Sequence, residues 1–134
     1  HASIGTDIIV GFPGETDADF ELLERYLRES PLTHVHVFPY SDRPGTAATA
    51  LPDKVHGSIV RDRASIVRAI GRELNRQFHL AQHGSVRPGL TIEDGALVVT
   101  DNYLKVRIAP GRMRNESVNV RLTSADGGLV GAVV

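Results

Sequence analysis

The hydrophobic pattern of this chain changes character once, near Gly84, and that change constrains its fold more than any other feature. Ahead of it, short β-branched runs alternate with stretches of helical periodicity. Behind it, short apolar or alternating runs follow one another closely, separated by Asp94-Gly95, Asp101-Asn102, Pro110-Gly111 and Asp126-Gly127-Gly128. Strand–helix–strand followed by closely spaced strands predicts an α/β segment and then an all-β one.

Ile4–Val10 is β-branched and apolar on both alternations apart from Asp7, which reads as a strand buried on both faces, as in a parallel sheet. Gly11-Phe12-Pro13-Gly14 stops it. Thr16 with Asp19 makes a capping box in which Asp replaces the usual Glu or Gln, and Asp17 and Asp19 suit the positive end of a helix dipole. Phe20, Leu23 and Leu27 then recur at helical spacing, predicting a helix over 17–29 that ends before Pro31. His34–Phe38 is the next strand, so the helix is the crossover of a βαβ unit. The loop Pro39–Pro52 is long for a bare connector and reads as functional. Pro52 suits the first turn of a long helix. Val60, Ala64, Val67, Ile70 or Gly71, Leu74, Phe78 and Ala81 form its apolar face, Arg61, Arg63, Arg68, Arg72 and Arg76 lie on the others, and its end falls near Gly84.

Ser85–Glu93, Ala96–Thr100, Tyr103–Ile108, Ser117–Thr123 and Leu129–Val134 read as strands. Five short strands suggest a small closed or nearly closed barrel, because closure removes vulnerable edges. The domains expected are therefore 1–83 and 84–134. A single βαβ unit cannot cover both faces of its strands, so residues 1–82 read as the tail of a larger α/β domain, or as one completed by oligomerisation or strand exchange.

Composition removes several function classes. Among 134 residues there is no cysteine, which excludes disulfides, thiolate zinc sites, cysteine nucleophiles and iron–sulfur ligation by this chain. No apolar run approaches the length that spans a bilayer. The net charge of −1 hides an asymmetry: residues 1–53 carry nine acids and three bases, residues 54–134 seven acids and twelve bases. A basic back half points to a polyanion or to an ordinary solvated face.

Ligands of α/β sheets bind beyond the carboxyl ends of the strands. Two motifs lie there, Val10-Gly11-Phe12-Pro13-Gly14-Glu15-Thr16 and Val37-Phe38-Pro39-Tyr40-Ser41-Asp42-Arg43-Pro44-Gly45-Thr46. Gly11 and Gly14 allow close backbone approach, and Ser41, Arg43 and Thr46 offer donors to carboxylate, phosphate or ribose. Asp7, polar in a strand of buried type, must find a partner or face a cavity. Two histidine pairs, His34 with His36 and His79 with His83, have ligand-like spacing. Neither has a third ligand, so no metal site is expected. In the back half Lys105 and Arg107 share a strand face with Tyr103, which could stack on a base. Arg112, Arg114 and Arg121 add positive charge. The same pattern also describes a solvated strand face with a rim tyrosine.

Taken together, IGTDIIVGFPGET, HVFPYSDRPGTAA, a basic helix and a barrel pattern containing TDNYLKVRI resemble the radical S-adenosylmethionine methylthiotransferases, in order and over essentially the whole chain. The wording HVFPYSDRPGT is most similar to the branch acting on threonylcarbamoyladenosine in tRNA. The isopentenyladenosine and ribosomal-protein branches remain open. The resemblance implies that residues 1–83 are the last βα units of a partial (β/α) barrel and residues 84–134 a TRAM domain, a small five-stranded, OB-like barrel that binds RNA. It assigns cofactor contact to Ile9, Gly11, Glu15, Val37 and Phe38, with Ser41, Arg43 and Asp7 beside them. It assigns RNA contact to Tyr103, Lys105, Arg107, Arg112, Arg114 and Arg121.

It further implies S-adenosylmethionine and two four-iron, four-sulfur clusters in a longer parent, a tRNA partner near the anticodon, and a cytoplasmic location. The family's CxxxCxxC motif is absent from this chain. The chain is therefore expected to be a C-terminal piece, inactive alone, whose partner is the N-terminal part of the same polypeptide. The rival expectations are a free-standing RNA-binding module and a non-catalytic scaffold.

Overall fold

The computed structural model describes residues 2–124 and 128–134. The turn expected at Asp126-Gly127-Gly128 has Asp126 and Gly127 outside the described residues. Cα proximity divides the chain into two compact units, Ile4–Asn75, and Arg76–Val134 with His1–Ser3.

In the first unit β1 (Gly5–Val10) and β2 (His34–Pro39) pair in parallel, with Asp7 opposite His36 and Ile9 opposite Phe38. The crossover helix α1 (Asp17–Glu29) begins at the expected capping box: Thr16 Oγ1 accepts from the Asp19 amide at 3.2 Å, and Asp19 Oδ2 accepts from the Thr16 amide at 2.9 Å. The bond from the Thr16 amide, and then one from the Thr16 hydroxyl to the same oxygen at 2.7 Å, hold the Asp19 carboxyl below its ordinary pKa. Phe20 and Leu27 of α1 meet Ala64, Val67, Ile70 and Leu74 of α2 (Gly57–Ala81) and Val10 of β1, with Ile8, Val35 and Val37 packed against them.

Two expectations are corrected here. β1 is not buried on both faces: Ile8 and Val10 point into this core, whereas Asp7 and Ile9 are exposed, as are His36 and Phe38 beside them. Both helices pack on one side of the sheet, and among the described residues of this unit nothing covers the other. The long helix starts at Gly57 rather than at Pro52. Asp53 adopts a left-handed φ of 58° that interrupts any helix there, and its carbonyl accepts from the Gly14 amide at 2.9 Å.

In the second unit β3 (Val86–Ile92), β4 (Leu97–Thr100), β5 (Lys105–Arg107), β6 (Ser117–Ser124) and β7 (Val130–Val133) close a barrel in the order β3-β4-β5-β7-β6. Every neighbouring pair is antiparallel except β5 with β7. Val98, Leu104, Val106, Ile108, Val120, Leu122 and Leu129 fill it, and Phe78, from the last turns of α2, joins them. Residues 84–134, expected as a separate domain, thus lie wholly within a unit that also takes in the end of α2.

Tyr103, expected to open a strand, lies in a tight turn with φ 62°. Its amide donates to the Thr100 carbonyl at 3.0 Å, and the Leu104 amide donates to Thr100 Oγ1 at 3.0 Å. This closes the hairpin before β5 begins. Buried Asn102 and Gln82 brace it from within, Asn102 Nδ2 donating to Gln82 Oε1 at 3.1 Å. No helix among the described residues is long and apolar enough to cross a membrane.

Gly131 sits at one of the close approaches in the barrel wall: a Cβ there would lie 2.6 Å from Val120 Cγ2 and 2.8 Å from the Arg121 carbonyl oxygen. Gly131→Ala is expected to lower unfolding free energy by roughly 1–3 kcal/mol through overpacking. Urea denaturation should show this as a lower midpoint; an unchanged midpoint would mean that the wall yields.

Candidate functional site

The uncovered face of the β1–β2 sheet continues into a cavity of about 490 Å³ at the carboxyl ends of the strands. Asp7, Ile9, Phe12, Phe38, Tyr40, Ser41, Arg43 and Thr46 contribute to its lining. Five of the eight residues expected around a cofactor (Asp7, Ile9, Phe38, Ser41 and Arg43) are therefore brought together. Asp7 takes the cavity alternative: its carboxylate and the Arg43 guanidinium have no ion-pair partner among the described residues.

The other three lie elsewhere. Val37 points the opposite way from Phe38 and packs against the core. Gly11 serves through its backbone, turning at φ 75° where a Cβ would lie 2.4 Å from Val60 Cγ2. Glu15 is turned inward: its Oε1 accepts from the Gly11 amide at 3.0 Å and from Arg63 at 2.6 Å. Burial opposes the Arg63 charge, but the bonds to Asp17 and Glu15 outweigh it and raise the guanidinium pKa.

Phe12 and Tyr40 were not singled out from the sequence, although both stand in the quoted motifs. They meet edge to face with ring centroids 5.3 Å apart. Tyr40 is also the first member of a polar clip that closes the loop after β2. Its hydroxyl donates to Asp42 Oδ1 at 2.8 Å, and Lys54 Nζ donates to the same oxygen at 2.6 Å and to the Ala48 carbonyl at 2.9 Å. Within the loop Thr46 and Thr49 hydroxyls both donate to the Arg43 carbonyl at 2.8 Å. The Arg43 backbone is thus fixed while its side chain is left to the cavity.

The cavity accordingly offers apolar and aromatic side chains, a carboxylate, a hydroxyl and a guanidinium. That set suits a nucleoside bearing both cationic and anionic groups.

The second candidate surface is the outside of the barrel. From Asn102 to Ile108 alternate residues are buried, so Tyr103, Lys105 and Arg107 all face outward. Tyr103 is 79% exposed. Arg121, on β6, is also exposed, with β7 between its strand and β5. Arg112 and Arg114 lie instead in the β5–β6 connection, beyond the opposite end of β5 from Tyr103. Arg112 is paired with Glu116 at 3.6 Å. Among the described residues no group of three His, Asp or Glu side chains could hold a metal ion.

The chain is 37% identical over 106 residues to the threonylcarbamoyladenosine tRNA methylthiotransferase of Aquifex aeolicus, covering 79% of this chain and 26% of that protein. It is 35% identical over 130 residues to the tRNA-2-methylthio-N(6)-dimethylallyladenosine synthase of Corynebacterium diphtheriae, covering 97% of this chain and 22% of that protein. The ribosomal protein uS12 methylthiotransferase of Syntrophobacter fumaroxidans is 35% identical over 107 residues, covering 80% of this chain and 24% of that protein.

The chain belongs to the methylthiotransferase family.

It spans about a quarter of the length of the curated relatives it matches. No family model matches it. The strand, turn and loop carrying the family resemblance are the same elements that wall the cavity.

The clip has a titration signature. Tyr40 has a raised pKa, from burial first and then from its bond to Asp42, and Asp42 a lowered one, from Lys54 first and then from Tyr40. A lowered carboxylate pKa means the clip's contribution is present above the ordinary aspartate value and lost as pH falls through the lowered one. Asp42→Ala is expected to bring the Tyr40 titration down toward the ordinary phenol range. Ultraviolet difference titration would register one tyrosine ionising at lower pH than in the unsubstituted protein. Superimposable curves would mean that Asp42 does not hold the Tyr40 proton.

Proposed function

We propose that this chain is the rear portion of a radical S-adenosylmethionine methylthiotransferase that modifies an adenosine of the threonylcarbamoyl type beside the tRNA anticodon. The observation that carries the reading is the coincidence of family and cavity: the two motifs that carry the resemblance both contribute to one concave surface, in a chain similar to methylthiotransferases over most of its length. In this reading 1–83 completes a (β/α) barrel and 84–134 is a TRAM-like RNA-binding barrel.

The cavity residues fit S-adenosylmethionine. Ile9, Phe12 and Phe38 offer apolar and aromatic contact to adenine, Asp7 and Ser41 offer polar contact to ribose hydroxyls and the ammonium, and Arg43 matches the carboxylate. When bound, S-adenosylmethionine supplies a methyl group and, on reductive cleavage, a radical. The part of this chain is to bind and orient. Its sheet end supplies a surface that water would otherwise occupy, and the clipped loop holds the Arg43 backbone still. The residues here do not fit an iron–sulfur cluster, whose ligands are thiolates, because the chain has no cysteine. Both clusters therefore belong to other parts of the parent polypeptide.

The barrel supports RNA rather than a ribosomal protein as substrate. Its β5 face presents Tyr103, Lys105 and Arg107 without an acidic partner among the described residues, the combination of stacking platform and cation that single-stranded RNA takes.

The test of the reading is the full-length protein, reconstituted with iron and sulfide and given S-adenosylmethionine and unmodified tRNA. Nucleoside mass spectrometry should find a methylthio group on the adenosine beside the anticodon. Transfer to a ribosomal protein instead would overturn the substrate, and no transfer would overturn the activity. For the barrel, Lys105→Ala with Arg107→Ala should flatten the dependence of log affinity on log salt by about 0.7 for each lost contact to a single strand. Tyr103→Ala should weaken binding by about 1–3 kcal/mol with the slope kept. An unaltered salt slope in the double variant would exclude this face from the RNA interface.

A further inference from the structure

Arg63 is buried at 5% exposure, and its guanidinium makes three polar contacts outside its own helix. Its Nη1 donates to the Glu15 carbonyl at 3.1 Å and to Glu15 Oε1 at 2.6 Å, and its Nη2 donates to Asp17 Oδ1 at 2.6 Å. The guanidinium also lies 5.3 Å from the centre of the Phe20 ring. It stands at the start of α1, the positive end of that helix dipole, which is unfavourable for a cation. Only the two carboxylates make the position tenable. An apolar side chain of similar volume would fill the same space without removing the guanidinium's charge from water, so its ion pairs are weak evidence of stabilisation.

What an apolar side chain could not do is hold Glu15. The turn Gly11–Thr16 contains two glycines at positive φ, Gly11 at 75° and Gly14 at 88°, and so has wide conformational freedom unless restrained. Glu15 restrains it, because the Oε1 that Arg63 grips is the oxygen that accepts the Gly11 amide at 3.0 Å. The next residue, Phe12, is the turn's contribution to the cavity and the edge partner of Tyr40. The chain of contact runs from Arg63 through Glu15 to the Gly11 amide, and so to the placement of Phe12.

We propose that Arg63 is a positioning residue for the cavity, acting through Glu15 to fix the Gly11–Thr16 turn and so the wall against which the nucleoside of S-adenosylmethionine packs. Glu15 is then a half-buried strut and not itself a cofactor ligand. This rests on the reading of the cavity as the S-adenosylmethionine site and adds to it a residue from α2, outside both sequence motifs.

The experiment uses the full-length protein and measures S-adenosylmethionine affinity by equilibrium dialysis, well below the thermal unfolding midpoint of each variant. Arg63→Met is expected to raise the dissociation constant roughly tenfold to a hundredfold, the scale on which a misplaced wall is felt, and Arg63→Lys, which can still grip Glu15 with one donor, to recover part of the loss. Should Arg63→Met fail to fold, Glu15→Ala removes the acceptor of the Gly11 amide while Arg63 keeps Asp17, and it should weaken binding to a similar degree. A purely structural Arg63 would lower the unfolding midpoint and leave the dissociation constant of the folded protein unchanged, which would overturn the proposal, as would unchanged affinity in Glu15→Ala. Absence of binding by the unsubstituted protein would overturn the reading of the cavity, and this proposal with it. Binding by the unsubstituted protein and the variants alike would overturn only the positioning role.

Discussion

Two strands side by side have two faces, and in the first unit both helices pack on the same one. Ile8, Val10, Val35 and Val37 go to α1 and α2, so by the alternation of a strand Asp7, Ile9, His36 and Phe38 must go the other way. The open face is thus dictated by the count of covering elements and not by any weakness of its own residues. Ile9 and Phe38 are 56% and 50% exposed, an arrangement that in a self-sufficient sheet would waste two large apolar side chains. Beside a carboxylate and a guanidinium, at the strand ends, the same exposure lines the cavity that the proposed function uses as a binding wall. The close approach of α2 to the sheet is what makes the one-sided packing tight: Gly11 leaves room for Val60, and Gly71 leaves room for Val35.

The barrel meets the opposite constraint. Its strands are short, three residues in β5 and four in β4 and β7, and open strands of that length would hold poorly and expose their edges. Closure pairs β3 with β6 and leaves an interior that only small residues can line at the tightest points, as Gly89 and Gly131 do. Phe78 completes the apolar filling, and Gln82 supplies the acceptor for Asn102. The end of α2 is therefore part of the barrel's interior. The hairpin that presents Tyr103 at φ 62° is consequently held from inside by buried polar groups, so an exposed aromatic is fixed in a conformation that a free loop would not keep.

Much of this was legible in the residues because it is local. The capping box at Thr16 and Asp19, the helix 17–29, the parallel pair and the five back-half strands follow from spacing and turn chemistry, which act within a few residues. What was not legible depends on partners distant in sequence. Pro52 suits a helix start by its own geometry, yet Asp53 is drawn into the left-handed region, with its carbonyl bound to Gly14. Tyr103 continues an alternating pattern without a break, yet Thr100 closes a hairpin around it. Glu15 stands in a motif that borders a cavity, but its side chain is turned away by Arg63, 48 residues on. Arg63 itself looked like one of five arginines on the polar side of a helix. Only its burial separates it from the rest, and burial of a polar position is a tertiary fact.

The two units divide the demands of the proposed reaction in a way that their composition explains. Holding a nucleoside needs shape, a few fixed polar groups and a turn that does not wander, and glycine, arginine, carboxylates and aromatics suffice for that. Holding RNA needs outward cations and a rigid aromatic face. Supplying electrons to cleave a sulfonium needs thiolate-bound iron, for which none of these residues is a substitute. On the proposed reading, a chain with no cysteine supplies part of the binding surface and no ligand to a cluster. Substitutions here should then act first on affinity and orientation rather than on cluster content. Arg63 fits that division as a positioning residue on the proposed reading: a buried cation whose bonds go to Glu15 and Asp17, at the end of the turn that carries Phe12.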